Sequence, residues 1–195
     1  QTRWAQDAAR RLAESRGTPN QISMASIGFA LLGFLLFRLA GGSGPWLGGL
    51  ALLLAAVCCQ LRLLCNLLDG MVAIEGGRGS PDGPFWNEMP DRVADVLLLG
   101  GAGLAAGEPG LGWAAGALAV MTAYLRELGR AEGFPADFSG PMAKPHRMAA
   151  LTLAAVLAAF EPIVAQAPQV LGWGLWLILI GTALTLLRRS WRLVR

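Results

Sequence analysis

Apolar residues in this chain come in six long blocks, separated by short polar or glycine- and proline-rich connectors. The first runs from Ile22 to Ala40 and the second from Trp46 to about Leu68. The third starts polar near Asn87 and turns apolar to about Gly107; the others cover 111–128, 148–165 and 169–187. A block such as the first, at 1.5 Å per helical residue, is long enough to cross a hydrocarbon core of about 30 Å. Between the blocks the sequence reads as breaks. Gly17-Thr18-Pro19-Asn20 precedes the first, Gly41-Gly42-Ser43-Gly44-Pro45 predicts a tight turn, and 75–86 is a polar Gly/Pro-rich loop. Gly107-Glu108-Pro109-Gly110, the polar stretch 129–147 and the region of Pro162 and Pro168 complete the set. Any one block would pass as a core helix of a large soluble protein. Six of them in 195 residues leave no polar shell to cover them.

The pattern therefore predicts an all-α, polytopic membrane protein with six transmembrane helices, occupying residues 21–188 ahead of a basic cytoplasmic tail, 189–195. Residues 1–20 read as a cytoplasmic interfacial helix and turn. Within 1–16, Trp4, Ala5, Ala8, Ala9, Leu12 and Ala13 follow a helical period, while Arg3, Arg10, Arg11 and Glu14 fall mostly elsewhere. That is the signature of a basic amphipathic helix on a membrane surface. The opening residues are polar and basic and carry no cleavable signal, and a start at Gln1 rather than Met leads us to expect residues before it.

Composition agrees: 54% of residues are hydrophobic, 15% are charged and the mean hydropathy is +0.50. Soluble domains run nearer a quarter charged. A net charge of +3 and a pI near 9.1 would suggest nucleic acid in a soluble protein. Here the basic residues cluster between apolar blocks, which fits anionic lipid head groups and argues against nucleic-acid binding. If residues 1–20 face the cytoplasm, so do 75–86, 129–147 and the C-terminus. These regions hold Arg78, Arg130, Lys144, Arg147, Arg188 and Arg195 among others, whereas the opposite side has only Arg38. Such asymmetry predicts a multi-pass protein of the cytoplasmic (inner) membrane with both termini inside. Cys58, Cys59 and Cys65 lie in one apolar block with no second cluster, and read as small buried residues rather than zinc ligands or disulfides.

Charges inside the blocks carry the chemistry. A carboxylate at mid-membrane costs roughly 2.5–3.5 kcal/mol, so an intramembrane acid is a functional feature by default. Asn66 and Asp69 share one helix face, and Asn87, Asp91 and Asp95 another, at spacings of three and four. Two adjacent helices thus point oxygen-bearing side chains at one another beneath a glycine-rich loop. Carboxylates without His or Cys favour hard cations, Mg²⁺ or Mn²⁺, which usually carry phosphates. The structural alternative is that these acids are helix-end residues, wetted by water and paired with Arg62 and Arg92.

These residues resemble the CDP-alcohol phosphotransferase (CDP-alcohol phosphatidyltransferase) family, whose motif is D-x2-D-G-x2-A-R-x8-G-x3-D-x3-D. The chain reads Asn66-x2-Asp69-Gly70-x2-Ala73-Ile74-x8-Gly83-x3-Asn87-x3-Asp91, every spacing kept. Five of these eight positions match, and Asn66, Ile74 and Asn87 depart. An alternative alignment takes Asp91 and Asp95 as the last two aspartates, with four extra loop residues. Thr18-Pro19-Asn20, Arg126-Glu127 and Lys144-Pro145-His146-Arg147 also resemble the family's layout.

The resemblance implies transfer of a phosphatidyl-type group from a CDP-linked lipid donor to an acceptor alcohol, with release of CMP, in phospholipid biosynthesis. It implies a base at Asp91, with Asp95 one turn on able to restore a charge. Metal ligands would be Asn66, Asp69, Asn87 and Asp91. Gly70, Ala73 and Gly83 would let the nucleotide approach backbone, and Arg126, Lys144 and Arg147 would bind phosphate. It also implies a homodimer, for which Gly100, Gly101, Gly103, Gly116 and their alanine neighbours offer close helix contacts, within the bundle or between copies. Each Asn can ligate through its amide oxygen, but two negative charges are gone. A catalytically degenerate relative that binds lipid or nucleotide without turnover is therefore the rival reading, and an ion or proton pathway a third.

Overall fold

The computed structural model describes residues 19–75, 82–164 and 169–195. The predicted interfacial helix and part of the 75–86 loop lie outside them. The described residues form six helices and no strand: α1 (Pro19–Gly41), α2 (Pro45–Glu75), α3 (Gly83–Ala105), α4 (Pro109–Ala131), α5 (Lys144–Val164) and α6 (Val170–Val194). Each expected block is a helix, usually longer than its apolar run. α2 continues a further two turns past Leu68, α3 begins four residues before Asn87 and carries Pro90 inside it, and α6 takes in most of the predicted tail.

The turns form where their chemistry predicts. After α1, the Gly42 and Ser43 amides donate to the Leu39 and Ala40 carbonyls, and the Ser43 hydroxyl also caps Leu39. After α3, Gly107 adopts φ +73°, with the Glu108 amide bonded to the Gly103 carbonyl and the Gly107 amide to Leu104. This is a Schellman closure, and Pro109 starts the next helix. At the head of α6, the Glu161 carboxylate accepts the Gln169 and Val170 amides, which a helix start would otherwise leave unpaired.

Neighbouring helices close a ring in the order α1, α2, α5, α6, α4, α3, with α3 also reaching α2 and α6 across the middle. The interior of that ring is small and apolar: Ala30, Ala55, Ala94, Ala102, Ala115 and Ala155 are almost completely buried, beside Leu98, Leu151 and Ile178. Small residues bring backbones together. A Cβ on Gly103 would lie 2.7 Å from the Gly112 Cα, so α3 and α4 meet main chain to main chain. The outside is the reverse of a soluble protein's, with Leu31, Leu35, Leu153, Leu157, Leu177 and Leu184 exposed.

Among the described residues three helices qualify as membrane spans by length and composition, at Asn20–Gly41, Pro45–Val72 and Val170–Val194. The sequence pattern predicted six. The difference has a physical cause: α3, α4 and α5 are 23, 23 and 21 residues long. Their polar ends carry Glu88, Asp91, Arg92 and Asp95, then Arg126, Glu127 and Arg130, then Lys144 and Arg147. Those charges dilute the apolar average of helices whose length would suffice.

Candidate active site

The charged ends of α2, α3, α4 and α5 collect at one end of the ring. Helix α2 arrives there with Arg62, Asn66, Asp69 and Gly70; α3 leaves it through Glu88, Asp91 and Asp95; α4 ends there with Arg126, and α5 starts there with Lys144 and Arg147. Because each helix reverses direction, residues far apart in sequence share this end. A cavity of about 530 Å³ opens among them, lined by Asn66, Asp91, Asp95, Arg126, Lys144 and Arg147 together with neighbouring side chains, including the exposed His146.

Asp91 is the junction. Its Oδ1 accepts a short hydrogen bond from the Asn66 amide nitrogen and lies 3.3 Å from Arg62 Nη2, while its Oδ2 pairs closely with Lys144 Nζ. Asp95, one turn deeper, is buried between two guanidiniums: Arg62 at 3.1 Å and Arg147 at 2.6 Å. Arg62 itself is fully buried and also donates to the Asp91 carbonyl at 3.1 Å. Glu88 pairs with both Arg92 and Arg126, and Arg126 stands over the Phe138 ring, 5.1 Å from its centroid.

Asp69 is held differently. The Ser23 hydroxyl of α1 donates to its Oδ2 at 2.7 Å, and Ser26, one turn on, donates to the Asn66 amide oxygen at 3.2 Å. The carboxylate is 6% exposed, and its Oδ1 has no hydrogen-bond partner among the described residues. Beside it, a Cβ on Gly70 would meet nothing within 4 Å. The loop from α4 to α5 closes over the cavity's outer side. There Asp137 holds Arg192 at 3.0 Å, and Arg189 donates to the Ser139 and Thr122 carbonyls. Desolvation acts to raise the Asp137 carboxyl, but bonds from Ser139 and Arg192 outweigh it and hold the group below the usual carboxylate range.

The sequence-predicted residues thus divide. Asn66, Asp91 and Lys144 meet directly, and Arg147 joins them through Asp95. Arg126 lines the same cavity by way of Glu88. Gly70 and Ala73 follow along α2, while Gly83 begins α3 with Asn87 one turn after it. The pairing of the acids with basic partners holds for Arg62; Arg92 binds Glu88 instead. Ser23 and Ser26 were not anticipated. Their only signal is a three-residue spacing on the first apolar block, which matches that of Asn66 and Asp69.

Among the described residues no three His, Cys, Asp or Glu side chains converge as a metal-ligand group. A hard cation needs less, since Mg²⁺ is commonly bound through one or two carboxylates plus water and substrate phosphates. An unpartnered buried carboxylate oxygen on Asp69, next to the open space at Gly70, meets that requirement.

Helices arranged in this way, with these site residues at one end, form a fold that solved structures share. The chain superposes on Mycobacterium tuberculosis phosphatidylinositol phosphate synthase (PgsA1) with CDP-DAG bound at a TM-score of 0.82 and 22% identity, covering 98% of this chain and 94% of that one. The same enzyme in complex with manganese and citrate gives a TM-score of 0.81 at 21% identity, covering 97% and 88%. In sequence the chain is 27% identical over 149 residues to the phosphatidylinositol phosphate synthase of Streptomyces avermitilis, a match covering 68% of this chain. That match spans 58% of the relative's own length. No protein-family model matches the chain. The resemblance to the CDP-alcohol phosphotransferases is borne out by these relatives.

Proposed function

We propose that this chain is a CDP-alcohol phosphotransferase that crosses the cytoplasmic membrane six times with both termini inside. It moves a phosphatidyl-type group from a CDP-linked lipid to an acceptor alcohol. The observation that carries the reading is the meeting of Asn66, Asp91 and Lys144 under the cavity, in a fold shared with an enzyme solved with CDP-DAG bound. An acceptor oxygen attacks the phosphorus that bears the lipid. One P–O bond forms, the bond to the CMP oxygen breaks, and the hydroxyl proton passes to a base.

Asp91 is the carboxylate suited to be that base, because it lines the cavity and its two oxygens face Arg62 and Lys144. An arriving phosphate gives Lys144 a second anion to bind, which frees an Asp91 oxygen for the acceptor hydroxyl. Arg126 and Arg147, which line the cavity with Lys144, supply charge-assisted bonds to phosphate. Gly70, Ala73 and Gly83 leave backbone for the cytidine nucleotide to lie against. A divalent cation would be held through Asp69, with Asn66 and Asn87 as the further ligands that the family motif implies, and would supply charge stabilisation at the diphosphate. A homodimer in the membrane follows from the family resemblance; the small-residue faces of α3 and α4 are taken up inside the bundle, so a second copy would meet another face.

The test is release of labelled CMP from CDP-diacylglycerol by purified protein, with Mg²⁺ or Mn²⁺ and a panel of alcohols and phosphorylated alcohols. Metal-dependent release with one acceptor identifies the reaction. Intact protein that releases none, yet binds CDP, points instead to the degenerate relative that Asn66 and Asn87 suggest.

The space at Gly70 gives a second expectation. Gly70→Ala meets no atom within 4 Å and replaces a mid-helix glycine, so it should stabilise the fold by up to about 1 kcal/mol. If nucleotide occupies that space, the same change raises KM for the CDP-lipid severalfold. Thermal melts and initial rates on one preparation check both, and a higher Tm with unchanged KM takes the nucleotide away from Gly70.

A further inference from the structure

Asp69, Glu88, Asp91 and Asp95 lie on α2 and α3 at the cavity end of the ring, and the partners of these four acids differ in kind. Asp91 has Lys144 and Arg62, Asp95 has Arg62 and Arg147, and Glu88 has Arg92 and Arg126. Asp69 alone has no basic side chain in ion-pair distance among the described residues. Its Oδ2 takes a neutral serine hydroxyl, and its Oδ1 is buried with no hydrogen-bond partner among the described residues. A buried carboxylate without a compensating charge is unfavourable unless it is neutralised or binds a cation.

Asp91 is the converse. Asn66 supplies an amide N–H where a carboxylate at the same position would supply only another acceptor, and would repel Asp91 until a cation came between them. Lys144 takes the second Asp91 oxygen. With two positive side chains already on it, this carboxylate has little attraction left for a divalent ion. Resting on the function proposed above, we infer that the site takes a single divalent cation, at Asp69, and that Lys144 and Asn66 occupy at Asp91 the place of a second one. Gly70 leaves the room beside Asp69 that coordinating water or phosphate oxygens require.

The measurement is Mn²⁺ stoichiometry by electron paramagnetic resonance, titrating Mn²⁺ alone into the full chain in lipid nanodiscs. One Mn²⁺ per chain is expected for the native sequence, and none for Asp69→Asn, which keeps the Ser23 contact. Asp91→Asn should keep the one ion. The double variant Asn66→Asp/Lys144→Met, if it folds, should bind two. Two ions bound by the native chain overturn the inference, as does loss of binding in Asp91→Asn with retention in Asp69→Asn. No ion bound by the native chain also overturns it, and would leave Asp69 as a neutral acid. CMP release is read separately: turnover with two ions sinks this inference alone, and one ion without turnover sinks the transferase reading alone.

Discussion

Asp91→Asn is expected to lower CMP release by about 10²–10⁴-fold, the range a positioned general base contributes. The substitution keeps the size of the side chain and an oxygen able to accept from Asn66. It removes the carboxylate that Lys144 and Arg62 hold, and with it the proposed acceptor of the alcohol's proton. On that proposal the loss should appear in kcat more than in KM for the lipid, because the base would act on the acceptor hydroxyl as the new P–O bond forms. Steady-state rates with the acceptor found in the panel provide the check, alongside a melting curve to establish folding. A folded Asp91→Asn protein within tenfold of native activity would remove Asp91 from the chemistry and return attention to Asp95.

Arg62→Leu is the second large effect, and it falls on stability. Arg62 is fully buried and joins α2 to α3 through the Asp95 carboxylate, the Asp91 carboxylate and the Asp91 carbonyl. Removing one member of a buried ion-pair network leaves the other charges uncompensated, at a cost of about 3–5 kcal/mol. Arg147 stays on Asp95 and Lys144 on Asp91, which places the expected loss toward the lower end of that range. Lysine should rescue poorly, since a single ammonium cannot reproduce the guanidinium's planar fork. Thermal unfolding in detergent measures it. An unchanged Tm in Arg62→Leu would mean that the network is held by Arg147 and Lys144 alone. Adding Asp95→Asn to Arg62→Leu should recover part of the loss, because the unpaired charge then goes too.

Both predictions rest on contacts that cross between helices, and these are what the sequence conceals. The spacing of Asn66 and Asp69, and of Asn87, Asp91 and Asp95, put oxygen-bearing residues on one face of each helix, since a 3.6-residue period is a property of the chain itself. That Lys144 lands on Asp91, 53 residues away, depends on α5 standing beside α2 in the ring. Ser23 and Ser26 look like ordinary polar interruptions of an apolar block until α1 packs on α2 and turns them toward Asp69 and Asn66. Arg189 reads as tail, yet α6 runs on to Val194 and draws it into the bundle against Thr122 and Ser139.

By itself the sequence determined where the six described helices fall, though not how far they run, together with the glycine and proline breaks between them and the charge gathered at one end of several. Apolar run length, Gly/Pro chemistry and helical period are local and act before any tertiary contact exists. It also carried the motif spacing that pointed to phosphoryl transfer. Tertiary structure alone decided which cation neutralises which acid. Ion pairing is chosen by distances between helices, and those follow from how small side chains such as Gly103 and Gly112 let backbones approach. Among the described residues that choice gives Asp91 two basic partners and leaves Asp69 with none.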